Sequence, residues 1–448
     1  MTSDGGKSPV TTVIDLRGAP AARLTRAALQ GVLPRAGLDV ERAVELVRPV
    51  CEDVRVRGGE AVREYTKRFD GVDLASTRVP REALEHALAV LDPKVRDALT
   101  EAARRARVVH EAQLPDRKDT TPAPGLSVST RFVPVNRAGV YVPGGLVAYP
   151  SSVVMNVVPA QAAGVGSIAV ASPPQRESGL PHPAVLAACA LLGITEVHAV
   201  GGAQALAMFA YGTHECEPAD VITGPGNVYV AAAKRILQGQ VGIDGENGPT
   251  EIGIIADHTA DPAFVAADLI GQAEHDELAA CLLITTDPAL PAKVDEELAR
   301  QIPKTKHRER VETALRGQAG YVLTDDIQAA LAVSDAWAPE HLEVQTEDAA
   351  GTAARVRNAG AIFVGPFSPV SLGDYLAGSN HVLPTGGTAR HTSGLSVYPY
   401  LKVVNVIDCD RESLADVAPR VDALGGAEDL AAHVAAVRVR VPSVEGER

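Results

Sequence analysis

A chain of 448 residues, 46% hydrophobic and 22% charged, has material for about three domains at roughly 150 residues each and for a large buried core. Its formal charge of −14, with 42 Lys plus Arg against 56 Asp plus Glu, argues against a nucleic-acid partner, which requires a basic stripe. No apolar run reaches the roughly 18 residues of a membrane-spanning helix, so no membrane partner is expected.

The first dozen residues, MTSDGGKSPVTT, are polar and expected to be disordered. They lack the basic and apolar regions of a secretory leader, which makes the cytoplasm the expected compartment. From about Ala22 to Ala112 apolar residues recur at three-and-four spacing, clearest in AVELVRPVCEDVRVRG and REALEHALAVL, and predict a helix-rich front. From Gly139 the texture changes to short β-branched runs that end in glycine or proline: AGVYVPGG, GSIAVASPP, EVHAVGGAQALA and DVITGPGNVYVAAAKRIL. This is the pattern of βαβ units around a parallel sheet. A second set of strands is predicted in EIGIIAD, ACLLITTD, GYVLTDD, HLEVQTED and GAIFVGP, separated by helical segments such as PAFVAADLIGQAEH. After Pro384 the chain reads as loop-rich, and it ends in the helical segments RESLADVAPRVDALGG and EDLAAHVAAVRVR. That tail is too short for its own core. The fold class expected is α/β, with two α/β halves, a helical front and a short tail.

Five cysteines, Cys51, Cys189, Cys216, Cys281 and Cys409, form no CxxC pair and are odd in number, which fits a reducing compartment better than a disulfide framework. Cys189 and Cys281 lie in apolar runs that raise a thiol pKa and suit a core residue better than a nucleophile. The glycine turns Gly144-Gly145, Gly201-Gly202 and Gly224-Pro225-Gly226 offer free N–H groups to a pyrophosphate, but the GxGxxG fingerprint is absent and tight turns account for them equally well. In Gln272-Ala-Glu-His275 the spacing of three places an amide and an imidazole on one helix face, either as a solvated polar face or as two ligands of one metal. Glu340-His341 sets a carboxylate beside an imidazole whose ordinary pKa lets it cycle protons near neutrality. Asp374 lies in a Gly-interrupted loop, where a carboxylate caps the next helix or turns toward a metal. Glu428 and His433 are five apart and do not share a helical face.

The segments VYVPGG, VGGAQALAMFAYGT, ITGPGNVYVAAAKR, GPTEI, DLIGQAEH, APEHLEV and SLGDYLAGSNHVLPTGGTAR, in that order and spacing, resemble the histidinol dehydrogenase family from about Gly139 to His433. The resemblance implies two incomplete Rossmann-like, aldehyde-dehydrogenase-like α/β domains with a helical N-terminal segment and a C-terminal tail swapped in a homodimer. The organisation expected is a helical segment at 1–35, a first α/β domain at 36–136 plus 246–384, an NAD-binding domain at 137–245 and a tail at 385–448. It implies oxidation of L-histidinol through L-histidinaldehyde to L-histidine, with NAD held by Tyr141, Gln204 and Asn227. One zinc ion per subunit is implied, on Gln272, His275, Asp374 and His433. The substrate-binding residues implied are Thr250, Gln272, His275, His341, Asp374, Glu428 and His433, and the acid–base residues are Glu340 and His341. Thr250 departs from the serine common in the family; the hydroxyl survives, and the added methyl alters rotamer preference. Two rival readings are a thiol-dependent aldehyde dehydrogenase, which the apolar cysteines disfavour, and a non-catalytic nucleotide-binding module.

Overall fold

The computed structural model describes residues 8–35, 37, 40–144, 148–246 and 248–441. Gly145 of the first glycine turn and the first seven residues lie outside them. The chain divides into a larger unit, residues up to Gln113 together with Val135–Tyr400, and a smaller one, Leu114–Pro134 together with the chain from Leu401 onward.

The larger unit is built on two parallel sheets. In the first, five strands run in the order Glu196–Ala199, Ser167–Ser172, Arg137–Tyr141, Val221–Thr223, Gly242–Ile243. Parallel strands covered on both faces read as continuous apolar runs, and the period of two sorts their side chains. Tyr141, Ala169, Ala171 and Ile222 pack on one face with helices Val40–Arg57, Gly59–Asp70, Gly202–Tyr211 and Val228–Leu237. Val140, Val142, Val170 and Val197 pack on the other with helices Arg81–Ala89, Pro93–Ala112, Pro150–Ala162 and Pro183–Leu191. The helical front therefore covers both faces of this sheet.

The second sheet has six parallel strands in the order Thr12–Asp15, Ala319–Leu323, Ala280–Thr285, Glu251–Ala256, His341–Gln345, Ala361–Val364. Ile252, Ile254, Cys281, Leu283, Tyr321 and Phe363 lie in one core, and Ile255, Leu282, Ile284, Val322, Leu342 and Val344 in another. The polar start was expected to be disordered through Thr12; the edge strand instead begins at Thr12, because backbone bonds to Ala319–Leu323 order it while its side chains stay mostly exposed.

The smaller unit holds an antiparallel sheet in which Leu126–Pro134 lies between Lys118–Ala123 and Leu401–Cys409, followed by helices Arg411–Ala427 and Ala431–Arg438. The strand Leu401–Cys409 falls in the stretch expected to be loop-rich. It forms because its partner arrives from a distant part of the chain, as the Thr130–Asn405 pair, 275 residues apart, shows. Among the described residues no helix is long and apolar enough to cross a membrane.

Candidate active site

Strand Glu251–Ala256 and strand His341–Gln345 are neighbours with His341 opposite Ile252, so the residues just before each strand meet at one end of the six-stranded sheet. Helix Ile327–Trp337 closes on Ala338 in the left-handed region, at φ 54, a conformation that costs a non-glycine residue about 1 kcal/mol. Pro339 follows and delivers Glu340 and His341 to the site. Both are buried.

Five residues lock together there. The Thr250 hydroxyl donates to Glu340 Oε2 at 2.5 Å and accepts from the Gln272 side-chain amide. The Glu251 N–H donates to the same Glu340 oxygen at 2.9 Å. His341 Nδ1 lies 3.1 Å from the Glu251 carbonyl. Because a carbonyl only accepts, Nδ1 carries the hydrogen and Nε2 is left over. His341 Nε2 is buried without a hydrogen-bond partner, 3.9 Å from Asp374 Oδ1. Burial pulls this imidazole down, but the Glu340 carboxylate and then Asp374 outweigh it and lift the ring to about 9.

Asp374 was expected in a loop. It lies instead on the short helix Val370–Tyr375, whose first N–H, that of Val370, donates to Glu343 Oε1 at 3.1 Å. Asp374 and His275 line one cavity of about 980 Å³ with Thr250, Glu340 and His381. Gln272 closes helix Pro262–Ala273, with His275 in the turn beyond. With its amide nitrogen committed to Thr250, Gln272 has its carbonyl oxygen left to offer. Gln272, His275 and Asp374 thus supply oxygen and nitrogen donors with no thiolate, a set that suits a divalent ion with an open position, and the unpartnered His341 Nε2 faces the same acid. Glu428 and His433 belong to the smaller unit, where Glu428 caps helix Arg411–Ala427, His433 is carried by helix Ala431–Arg438, and both are exposed.

A second cavity, about 1070 Å³, is lined by Tyr141, Gln204 and Asn227. Tyr141, Gly144 and Asn227 line both cavities, so the two share a wall where the carboxyl ends of the five-stranded sheet approach the amino ends of the six-stranded one. Asn227 Oδ1 accepts from the N–H groups of Tyr229 and Val230 as the cap of helix Val228–Leu237, leaving its amide nitrogen as donor. Gly224 tolerates no side chain: at φ +123, a Cβ would come within 1.9 Å of the Tyr141 carbonyl oxygen. The buried Lys234–Asp244 pair, 2.5 Å apart, holds this turn by bonds to Gly224 O and N.

The sequence profile of the histidinol dehydrogenase family matches residues 33–441. The chain is 63% identical over 438 residues, 97% of its length and 99% of the relative's, to a histidinol dehydrogenase of Thermobifida fusca. The chain belongs to the histidinol dehydrogenase family. It is also 57% identical over 439 residues, 96% of its own length and 98% of the relative's, to the Mycobacterium tuberculosis enzyme. A solved histidinol dehydrogenase from Elizabethkingia anophelis superposes with a TM-score of 0.90 at 33% identity, over 98% of this chain and 100% of that one. Membership makes the chain a metal- and NAD-using oxidoreductase that converts L-histidinol to L-histidine, the last steps of histidine biosynthesis.

The thiols of Cys189 and Cys281, both pushed up to about 12 by burial, are inert at neutral pH, which counts against a cysteine nucleophile at either position. Among the described residues one cluster of His, Cys and acid groups is tight enough to hold an ion: Glu196, His198 and Cys216. A guanidinium already stands there. Arg137 pairs with Glu196 at 2.5 Å and approaches Cys216 Sγ at 3.7 Å, which makes the cluster an ion-pair network. Sequence reading missed Arg35, Glu251 and His381. His381 bonds to the Asp374 carbonyl and Ser152, and only its place in the motif SLGDYLAGSNHVLPTGGTAR could have flagged it.

Proposed function

We propose that the cavity between the two sheets is the site of both histidinol oxidations, with His341 as proton acceptor at the substrate oxygen and Glu340 as the base that activates water. The convergence of Thr250, Gln272, Glu340, His341 and Asp374 around one unpartnered imidazole nitrogen carries this reading. Tyr141, Gln204 and Asn227 hold NAD, which when bound supplies the hydride acceptor for each oxidation. Gln272, His275, Asp374 and His433 would hold one zinc ion per subunit, which would supply a positive charge to position the substrate and offset the charge of Asp374. Thr250, Gln272, His275, His341, Asp374, Glu428 and His433 surround the substrate.

In the first oxidation His341 Nε2 takes the hydroxyl proton; a bound cation would offset the Asp374 charge that helps lift the ring and so leave Nε2 unprotonated, while Nδ1 is anchored on the Glu251 carbonyl so that the ring cannot turn. Glu340 has one oxygen fixed by Thr250 and Glu251 and uses the other to deprotonate the water that hydrates the aldehyde. His341 returns its first proton to the aldehyde oxygen as water adds, and so is free to take the hydrate's proton in the second oxidation. The smaller unit bears Val403, Ile407, Leu424 and Val439 exposed, and these apolar side chains favour a homodimer in which the tail lies against the partner and lends it Glu428 and His433.

The division of roles is tested in the half-reactions. His341→Ala slows oxidation of both L-histidinol and L-histidinaldehyde, whereas Glu340→Gln slows the aldehyde step by at least about tenfold more than the alcohol step. Equal losses in both steps for Glu340→Gln would refute the assignment.

A further inference from the structure

The cavity lined by Tyr141, Gln204 and Asn227 contains a group that the mechanism does not use. Asp70 is the last residue of helix Gly59–Asp70, and its side chain reaches the Gly201-Gly202 turn, where a Cβ on Gly201 would lie 3.2 Å from Asp70 Oδ1. Oδ2 is buried with no hydrogen-bond partner. The Gly202 N–H, which would suit it, donates instead to the Tyr141 hydroxyl at 3.2 Å. Burial lifts the carboxyl to about 6 against the opposing pull of Arg176, so it is ionised at neutral pH and able only to accept.

Its position serves the fold badly. An acid in the last turn of a helix opposes the helix dipole, and a buried acceptor without a donor forfeits its hydration. Local costs of this kind mark groups kept for a ligand. The ligand part facing Asp70 must be a donor. A pyrophosphate at this turn would be repelled, while a ribose diol offers two hydroxyls to two carboxylate oxygens. Asp70 lines this cavity with Leu46, Tyr65 and Phe69 but does not line the one that contains Glu340, which places it away from the reacting end of a dinucleotide. Arg68 and Arg176 line the same cavity and would attract a phosphate if the carboxylate were absent.

Resting on the reading that this cavity holds NAD, we propose that Asp70 binds the hydroxyls of the adenosine ribose and thereby selects NAD over its 2′-phosphorylated counterpart. The acid comes from the helical front of the chain and not from a sheet strand.

The test compares wild-type holoenzyme with Asp70→Asn, a near-isosteric change, using NAD, NADP and 2′-deoxyadenosine NAD with saturating histidinol. In the wild type, loss of the 2′-hydroxyl raises KM about tenfold, the effect of one charge-assisted bond. In Asp70→Asn the KM for NAD rises by the same factor, the deoxy analogue is no worse than NAD, and the preference for NAD over NADP narrows. The variant's thermal midpoint is unchanged or higher. A wild type indifferent to the 2′-hydroxyl, or a variant that still discriminates against the deoxy analogue, would overturn the proposal. So would a lowered midpoint with equal losses for all three nucleotides. Gln204→Ala separates the two readings by direct NAD titration. If it weakens NAD binding while Asp70→Asn does not, only the ribose assignment fails; if neither does, the cavity itself has been misread.

Discussion

Thr250 shows how a single hydroxyl ties the site together. It donates to Glu340 and accepts from Gln272, so both its hydrogen and a lone pair are committed. Thr250→Ser keeps the relay and is expected to leave kcat within about twofold. Thr250→Val removes it while filling the same space, leaving the Gln272 amide without its hydroxyl acceptor and Glu340 Oε2 with the Glu251 N–H alone, at a cost of about 1–3 kcal/mol in stability. Its kcat is expected to fall at least about tenfold, because Glu340 loses one of the two bonds that orient it. Steady-state assays and thermal melts on the two variants check this; equal activity in both would remove the relay from the account. The motif GPTEI made Thr250 visible as a candidate, but not its duty, since its two partners come from elements 22 and 90 residues away.

At the scale of elements, the start of strand Glu251–Ala256 acts as a two-sided clamp. The Glu251 N–H holds Glu340 and its carbonyl holds His341, so the backbone of one residue fixes both proposed acid–base groups. Its own side chain is buried, paired with Arg35 at 2.7 Å, and accepts from the Gly386 N–H at 3.1 Å. Arg35 in turn lies 4.8 Å over the Trp337 ring and donates to the Trp337 carbonyl. Burial pushes the Glu251 carboxyl up to about 7, opposed by Arg35 and reinforced by Glu340. In Arg35→Met the opposing charge disappears, Glu251 takes up a proton at neutral pH, and the clamp loosens. The expected result is a fall in kcat of about tenfold with the KM for NAD unchanged, since no residue lining the cavity proposed to hold NAD is touched. A loss confined to KM would contradict it. Sequence periodicity found the strand and its apolar face, but a buried ion pair 216 residues apart leaves no periodic trace.

At the scale of the whole molecule, the proposed swapped tail makes a quantitative prediction. Asp374→Ala and His433→Ala chains each lack one proposed metal ligand and are expected to be inactive alone. After unfolding and refolding together in equal amounts, mixed dimers with exchanged tails regain one intact site, and about a quarter of wild-type activity returns. If His433 served its own chain, every site in every mixed dimer would lack a ligand. No recovery in confirmed mixed dimers would exclude the swap.

The family, the reaction and the two α/β halves were all legible in the chain itself, because motifs and two-residue periodicity are local properties carried by consecutive residues. Local, too, were the apolar settings of Cys189 and Cys281, borne out by their burial. Tertiary structure decided what distance along the chain conceals. It set the polar segment from Thr12 as an edge strand, paired Leu401–Cys409 with Leu126–Pro134, and put Asp374 on a helix. It also left His341 Nε2 and Asp70 Oδ2 buried and unpaired. Whether a polar atom is satisfied depends on which remote groups fold against it, and no run of neighbouring residues encodes that.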